Sequence, residues 1–147
     1  KPIRFLVDHH KGETVHAFMC MATVCLVSSL HDGMNLVAKE YAAAKADHDG
    51  VLVLSEFAGA ARELPDAVII NPYDTEQFAD AIRFAVEMEP RTRRERMRRI
   101  RQTIEERNVY WWAASFLTEL AATRHAEVRP EYLRVFTPRV GIKEAVS

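Results

Sequence analysis

The sequence has few cysteines, no long apolar run and almost no net charge, and each absence removes a class of protein. Cys20 and Cys25 are the only cysteines, and C-x-x-x-x-C without further ligands is neither a zinc pattern nor a disulfide framework. Two buried free thiols in a reducing compartment are expected. No segment approaches the roughly 18 to 20 apolar residues that span a bilayer, and the first residues lack the charged-then-apolar plan of a signal peptide. A cytoplasmic location with no membrane partner is the expectation. With 20 Lys and Arg against 21 Asp and Glu, the formal net charge is -1, which gives no global attraction to nucleic acid or to an anionic surface. Internal repeats and low-complexity tracts are also missing.

What is there has the balance of one soluble globular domain: 147 residues, 48% hydrophobic and 28% charged, enough to build a sizeable core. Short apolar runs alternate with helical patterns. "IRFLV", residues 3 to 7, reads as a strand, and because it stands so close to Lys1, further sequence upstream is expected. "ETVHAFMCMA" has helical length, "VCLVSS" is a second strand, and residues 34 to about 45 a second helix. "GVLVLS", a continuous aliphatic run, suits a strand buried on both faces. "DAVIINP" is a short strand stopped by Pro72. In "TEQFADAIRFAVEM", Phe78, Ile82, Ala85 and Val86 recur at helical spacing, with Thr75 as the expected cap. The alternation predicts an α/β fold, a parallel sheet with helices on both faces. From Pro90 the pattern is helix alone: Met97, Ile100 and Ile104 line one face of an arginine-rich helix, and "VYWWAASFLTELAA" is an apolar helix rich in aromatics. The domain is drawn over residues 1–128, with a tail at 129–147 that has no firm pattern.

The loop "SSLHDGMN" lies at the carboxyl end of a strand, where ligands bind in open parallel sheets. Gly33 lacks a side chain, so a ligand can approach the backbone there. Met34, Asn35, Leu36 and Val37 follow at a helix N-terminus, where unpaired N–H groups and the helix dipole favour an anion such as a diphosphate. Glu40 stands five residues beyond Asn35, roughly 7 Å along the axis at ~1.5 Å per residue, an offset that suits a ribose hydroxyl pair. The same residues admit a plainer reading. Asp32 caps the helix, Gly33 fills a turn, and Glu40 pairs with a neighbouring lysine.

"SLHDGMNLVAKEYAAA" followed by "DGVLVLSEFAGAARELPDAVIINPYD" closely resembles the carboxyl-terminal half of the trehalose-6-phosphate synthase family of retaining glycosyltransferases. Glucosylglycerol-phosphate synthases share the signature. The resemblance implies one Rossmann-like half of a two-domain glycosyltransferase fold, the half that holds most of the sugar nucleotide. It implies that Asp32 bonds donor-sugar hydroxyls, assisted by the backbone of Gly33, Met34 and Asn35. Leu36 and Val37 then meet the diphosphate through their N–H groups, and Glu40 holds the ribose. No metal, no cofactor and no protein nucleophile is implied from this half. The chain departs from the family at Ala22-Thr23, where alanine-aspartate is usual, and at "MCM". The acceptor-binding first domain and the basic residues that grip the donor phosphates have no counterpart here, so a fragment, a truncated paralogue or half of a split enzyme is expected.

Other clusters carry less. His9, His10 and His31 read as loop histidines, His31 being the better placed to touch a ligand. Gly59 and Ala60 in "EFAGAARE" permit close backbone approach, either to the cleft or in tight strand-to-helix packing. "RTRRERMRR" raises nucleic-acid binding as an alternative, but Glu95, Glu105, Glu106 and the apolar stripe favour a solvated basic face. The aromatics Tyr110, Trp111, Trp112 and Phe116 read as packing, or as a surface for a homo-oligomer. The expected function is transfer of glucose, with retention, from UDP-glucose or GDP-glucose to glucose 6-phosphate. The acceptor is reached through the first domain. The alternatives are glucosylglycerol-phosphate synthesis or a non-catalytic nucleotide-binding scaffold.

Overall fold

The computed structural model describes residues 3–123. Its elements run α1 (Gly12–Met21), β1 (Val24–Val27), α2 (Leu36–Ala44), β2 (Val51–Ser55), a 3-10 turn (Gly59–Arg62), β3 (Val68–Ile70), α3 (Thr75–Glu87), α4 (Pro90–Glu106) and α5 (Val109–Thr123). The chain divides into two compact units, Lys1–Asn108 and Val109–Ser147. The expected boundary at 128 and the tail at 129–147 lie outside the described residues.

In the first unit three strands form a parallel sheet in the order β1-β2-β3. Val24 pairs with Val51 through to Val27 with Leu54, and Val53 pairs with Val68 through to Ser55 with Ile70. β2 is central and all five of its residues are buried, as a continuous aliphatic run requires. Its alternate side chains serve opposite faces. Leu52 and Leu54 join Val27, Ala38, Tyr41, Ala42, Met97 and Ile100, so α2 and α4 cover one face. Val51 and Val53 join Ile70, Ala81, Ala85 and Met88, so α3 covers the other. At about 2 kcal/mol for each large aliphatic side chain taken from water, β2 anchors both layers. The expected α/β architecture, with helices on both faces, is the one observed.

Three local readings are corrected. Residues 3–7 form no strand; Ile3 is 80% exposed and Phe5 87%, because an apolar run becomes a strand only when a neighbour accepts its backbone. On α3 the buried stripe is Ala81 and Ala85 with Phe78 partly buried, while Val86 and Ile82 face outward. The α3 cap is Asp74 and not Thr75: the Asp74 carboxylate accepts from Gln77 N at 3.0 Å, and Gln77 Oε1 accepts in return from Asn71 N at 2.7 Å.

The arginines of α4 are more engaged than a solvated face implies. Arg93 pairs with Asp49 at 2.5 Å, Arg96 donates to the carbonyls of Asp66 and Ala67, and Arg99 pairs with Asp66. Arg101 donates to the carbonyls of Ala42 and Ala43 at 3.0 and 2.5 Å at the end of α2, where the Ala42 oxygen also takes the C-cap N–H of Lys45 at 3.3 Å. Met97 and Ile100 are buried and Ile104 partly so, as the stripe predicts. On the second unit's α5, the rings of Trp112 and Phe116 stack at 5.6 Å, one turn apart.

The two cysteines differ from the expected buried pair. Cys20 is exposed, and only Cys25 is half-buried. Burial pushes the Cys25 thiol up to about 11.

Candidate functional site

The loop between β1 and α2 is built at the carboxyl end of the sheet, and its shape comes from hydrogen bonds made within a few residues. Asp32 Oδ1 accepts from Met34 N at 3.1 Å and from Asn35 N at 2.9 Å. Asp32 Oδ2 accepts from Asn35 Nδ2 at 2.9 Å. These bonds, the Asn35 side chain first and the Met34 N–H next, hold the Asp32 carboxyl below the usual carboxylate range. Asn35, in the left-handed region at φ 67, is the N-cap of α2, and its Oδ1 accepts from Ala38 N at 2.9 Å. The helix therefore opens at Leu36, two residues later than expected.

The donor set changes accordingly. Four N–H groups, from Met34 to Val37, were expected to face a ligand. Those of Met34 and Asn35 are consumed by Asp32, while those of Leu36 and Val37 take no partner among the described residues. Two adjacent free donors thus stand at the positive end of the α2 dipole, a setting that favours an anion. The first turn of α2 holds no acidic residue to compete with it.

Gly33 and Gly59 have opposite surroundings. A Cβ added to Gly33 would meet nothing within 4 Å, so that side of the loop is open. A Cβ on Gly59 would collide with the carbonyl of Gly33 and crowd Met34 Cα. The segment after β2 is laced to the loop. Asp32 N donates to Phe57 O at 3.3 Å, Gly59 N to Asp32 O at 2.9 Å, and Ala60 N to Met34 O at 2.9 Å. Of the two readings of "EFAGAARE", the glycine serves close approach to the Asp32 loop itself.

Glu40 is exposed on α2 and has no polar partner among the described residues. The lysine beside it, Lys39, pairs instead with Glu63 at 2.8 Å, so the plainer reading of Glu40 as half of a lysine pair does not hold. Glu40 lines a groove of about 440 Å³ between α1 and α2, with Gly12, Val15, His16, Met19, Ala43 and Ala44. His31 is exposed beside Asp32; His9 and His10 lie in the irregular segment before α1. No group of three His, Cys, Asp or Glu side chains that could hold a metal ion occurs among the described residues. Nor is any described helix long and apolar enough to cross a membrane.

Residue reading located Asp32, Gly33, Leu36, Val37 and Glu40 in one local constellation but missed the side chain of Asn35. The signal was present, since asparagine three residues ahead of a helical N–H is a preferred N-cap.

An open parallel sheet with a backbone-wired loop at its strand ends defines the class of Rossmann-like α/β domains. The family model described as glycosyltransferase family 20 matches residues 1–122, and the chain belongs to that family. A curated relative, trehalose-6-phosphate synthase of Mycolicibacterium smegmatis, is 51% identical over 107 residues, 73% of this chain and 21% of the relative. A solved structure of a UDP-forming alpha,alpha-trehalose-phosphate synthase from Burkholderia xenovorans, in complex with glucose-6-phosphate, superposes with a TM-score of 0.72. It is 41% identical and covers 77% of this chain and 25% of that one. Another, described as trehalose-6-phosphate from E. coli bound with UDP-2-fluoro glucose, gives a TM-score of 0.73 and 40% identity over 77% of this chain and 25% of that one. The chain thus spans between a fifth and a quarter of the length of these relatives.

Proposed function

We propose that this chain is the donor-binding part of a retaining glucosyltransferase that makes trehalose 6-phosphate. UDP-glucose is the donor and glucose 6-phosphate the acceptor. In this reading the N–H groups of Leu36 and Val37 meet the diphosphate, Glu40 holds the ribose hydroxyls, and Asp32 with the backbone of Gly33 receives the sugar, the N–H groups of Met34 and Asn35 serving to hold Asp32 in place. The observation that carries it is the pair of unpartnered N–H groups at the start of α2 one turn ahead of an unpaired Glu40. Kinship to proteins solved with UDP-2-fluoro glucose and with glucose-6-phosphate supports it.

Chemically, the site stabilises a leaving group. As the bond from the glucose anomeric carbon to the diphosphate oxygen lengthens, charge builds on the diphosphate. Fixed N–H donors and the helix dipole meet that charge without reorganising. No metal or protein nucleophile is required of these residues, and a cytoplasmic setting suits both substrates. The acceptor is held by parts of the fold beyond those matched, so the 147 residues taken by themselves are expected to show no measurable glucosyl transfer.

Titration of UDP and UDP-glucose into the 147-residue chain, followed by amide chemical shifts, tests the reading. Shifts concentrated at residues 33–37 and 40 are expected. Absence of binding at millimolar ligand would overturn it and favour a scaffold without nucleotide.

A further inference from the structure

Resting on the donor-site reading above, we propose that Asn35 is the positioning residue of the donor loop. Its carboxamide fixes the Asp32 carboxylate so that one remaining acceptor position, on Oδ2, is presented to a single hydroxyl of the donor sugar. Asn35 is a buried polar residue, 7% exposed, and every polar atom of its side chain is used. Oδ1 accepts from Ala38 N at 2.9 Å, while Nδ2 donates to Asp32 Oδ2 at 2.9 Å and, at 3.4 Å, to Ser29 Oγ. Its left-handed backbone, φ 67 and ψ 85, is one that asparagine adopts far more readily than most residues.

Counting acceptor positions gives the specificity. A carboxylate offers about four lone-pair sites. Asp32 Oδ1 takes two N–H groups and Oδ2 takes the Asn35 amide, so three are filled and one remains on Oδ2. The backbone on either side of the carboxylate is fixed independently, through Gly59 N to Asp32 O and Ala60 N to Met34 O. Removing the Asn35 side chain should therefore free Oδ2 while the two backbone N–H bonds to Oδ1 and the loop stay in place. A residue serving only as helix cap would act on α2 and not through Asp32.

A double-mutant cycle separates the two. In the 147-residue chain, Asn35→Gly keeps the left-handed backbone and is expected to change UDP affinity by less than about twofold while weakening UDP-glucose about tenfold, the scale of a lost charge-assisted hydrogen bond. In an Asp32→Ala background the same substitution should leave UDP-glucose affinity unchanged within twofold. An equal loss in both backgrounds would assign Asn35 to helix capping alone and overturn the proposal. The carboxyl carbon of Asp32, followed by NMR without ligand, should titrate at higher pH in Asn35→Gly than in wild type; an unmoved midpoint also overturns it. If wild type binds neither UDP nor UDP-glucose, the donor-site reading itself fails and the sugar role of Asn35 fails with it.

Discussion

The loop at residues 29–40 and the segment at residues 3–21 stand at opposite extremes of self-sufficiency. In the loop, Asp32, Asn35 and the backbone of Phe57 to Ala60 satisfy one another within a few ångströms. In the other segment, "IRFLV" has the apolar content of a strand yet is unpaired and exposed, and α1 has no buried residue. α1 is secured mainly at its far end, where Lys45 Nζ donates to Cys20 O at 2.8 Å and Tyr41 Oη lies within bonding distance of the carbonyls of Ala22 and Thr23. A site whose polar groups are satisfied locally keeps its shape through short-range chemistry. A strand depends on a partner that its own sequence cannot supply.

The sharpest way to break the contrast is to unlace the loop. Gly59→Ala should be the most damaging small substitution, since its Cβ meets the Gly33 carbonyl and backbone must move. A cost of about 3 kcal/mol, at the upper end for overpacking, is expected in urea denaturation, together with loss of nucleotide binding. Gly33→Ala, with open space around its Cβ, should change stability by less than about 0.5 kcal/mol yet still weaken binding. Equal stability effects at the two glycines would refute the picture of a laced loop with one open side.

Next in size is Glu40→Ala. An exposed carboxylate without a protein partner contributes little to folding, but a charge-assisted bond to a ribose hydroxyl is worth about 1.5 to 3 kcal/mol. Calorimetry with UDP should show a loss of roughly ten- to a hundredfold with an unchanged unfolding midpoint. Unchanged UDP affinity would move the ribose elsewhere.

The legible parts of this fold were those set by period and by local chemistry. β2 was readable because five consecutive aliphatic or small residues between turns admit few alternatives, and α4 because Met97, Ile100 and Ile104 repeat at helical spacing behind a proline. The strand at residues 3–7 was misread because composition reports apolarity and not pairing. The outward turn of Val86 was missed because two neighbouring faces of α3 both carry apolar residues, and only the position of the sheet decides between them. In the site, Asp32 and Glu40 stood out as charges at telling positions. Asn35 and Gly59 act through contacts that no spacing rule displays: a side chain turned back onto its own loop, and a backbone that must pass close to another.

Cys25 ties the two regions together, since β1 lies between them, and its burial has a pH signature. The thiol is raised by desolvation to about 11, so the folded state holds its proton where the unfolded chain, near 8.5, releases it. The associated stability is complete below about 8.5 and declines as pH rises towards 11. Urea midpoints measured across that window should fall for wild type and fall less for Cys25→Val. Identical slopes would place the alkaline loss elsewhere. Alkylation at mild alkaline pH should also label exposed Cys20 well before Cys25.

The smallest expected effects lie on α4, and they test whether its arginines divide into holders and solvated charges. Arg101 donates to two carbonyls at the end of α2, the helix whose other end carries the proposed anion site. Arg98 is exposed, and no partner for it is found among the described residues. Arg101→Ala leaves the Ala43 carbonyl without a protein donor among the described residues and the Ala42 carbonyl with Lys45 N alone, a loss of about 1 kcal/mol. Arg98→Ala should fall within about 0.5 kcal/mol of wild type, as surface substitutions do. Thermal or urea unfolding of the two variants gives the comparison directly. Equal effects would return the whole run to a uniform basic face. If Arg98→Ala instead abolished binding to an oligonucleotide that wild type held in 150 mM salt, on the order of physiological ionic strength, the nucleic-acid alternative would displace the structural reading of α4.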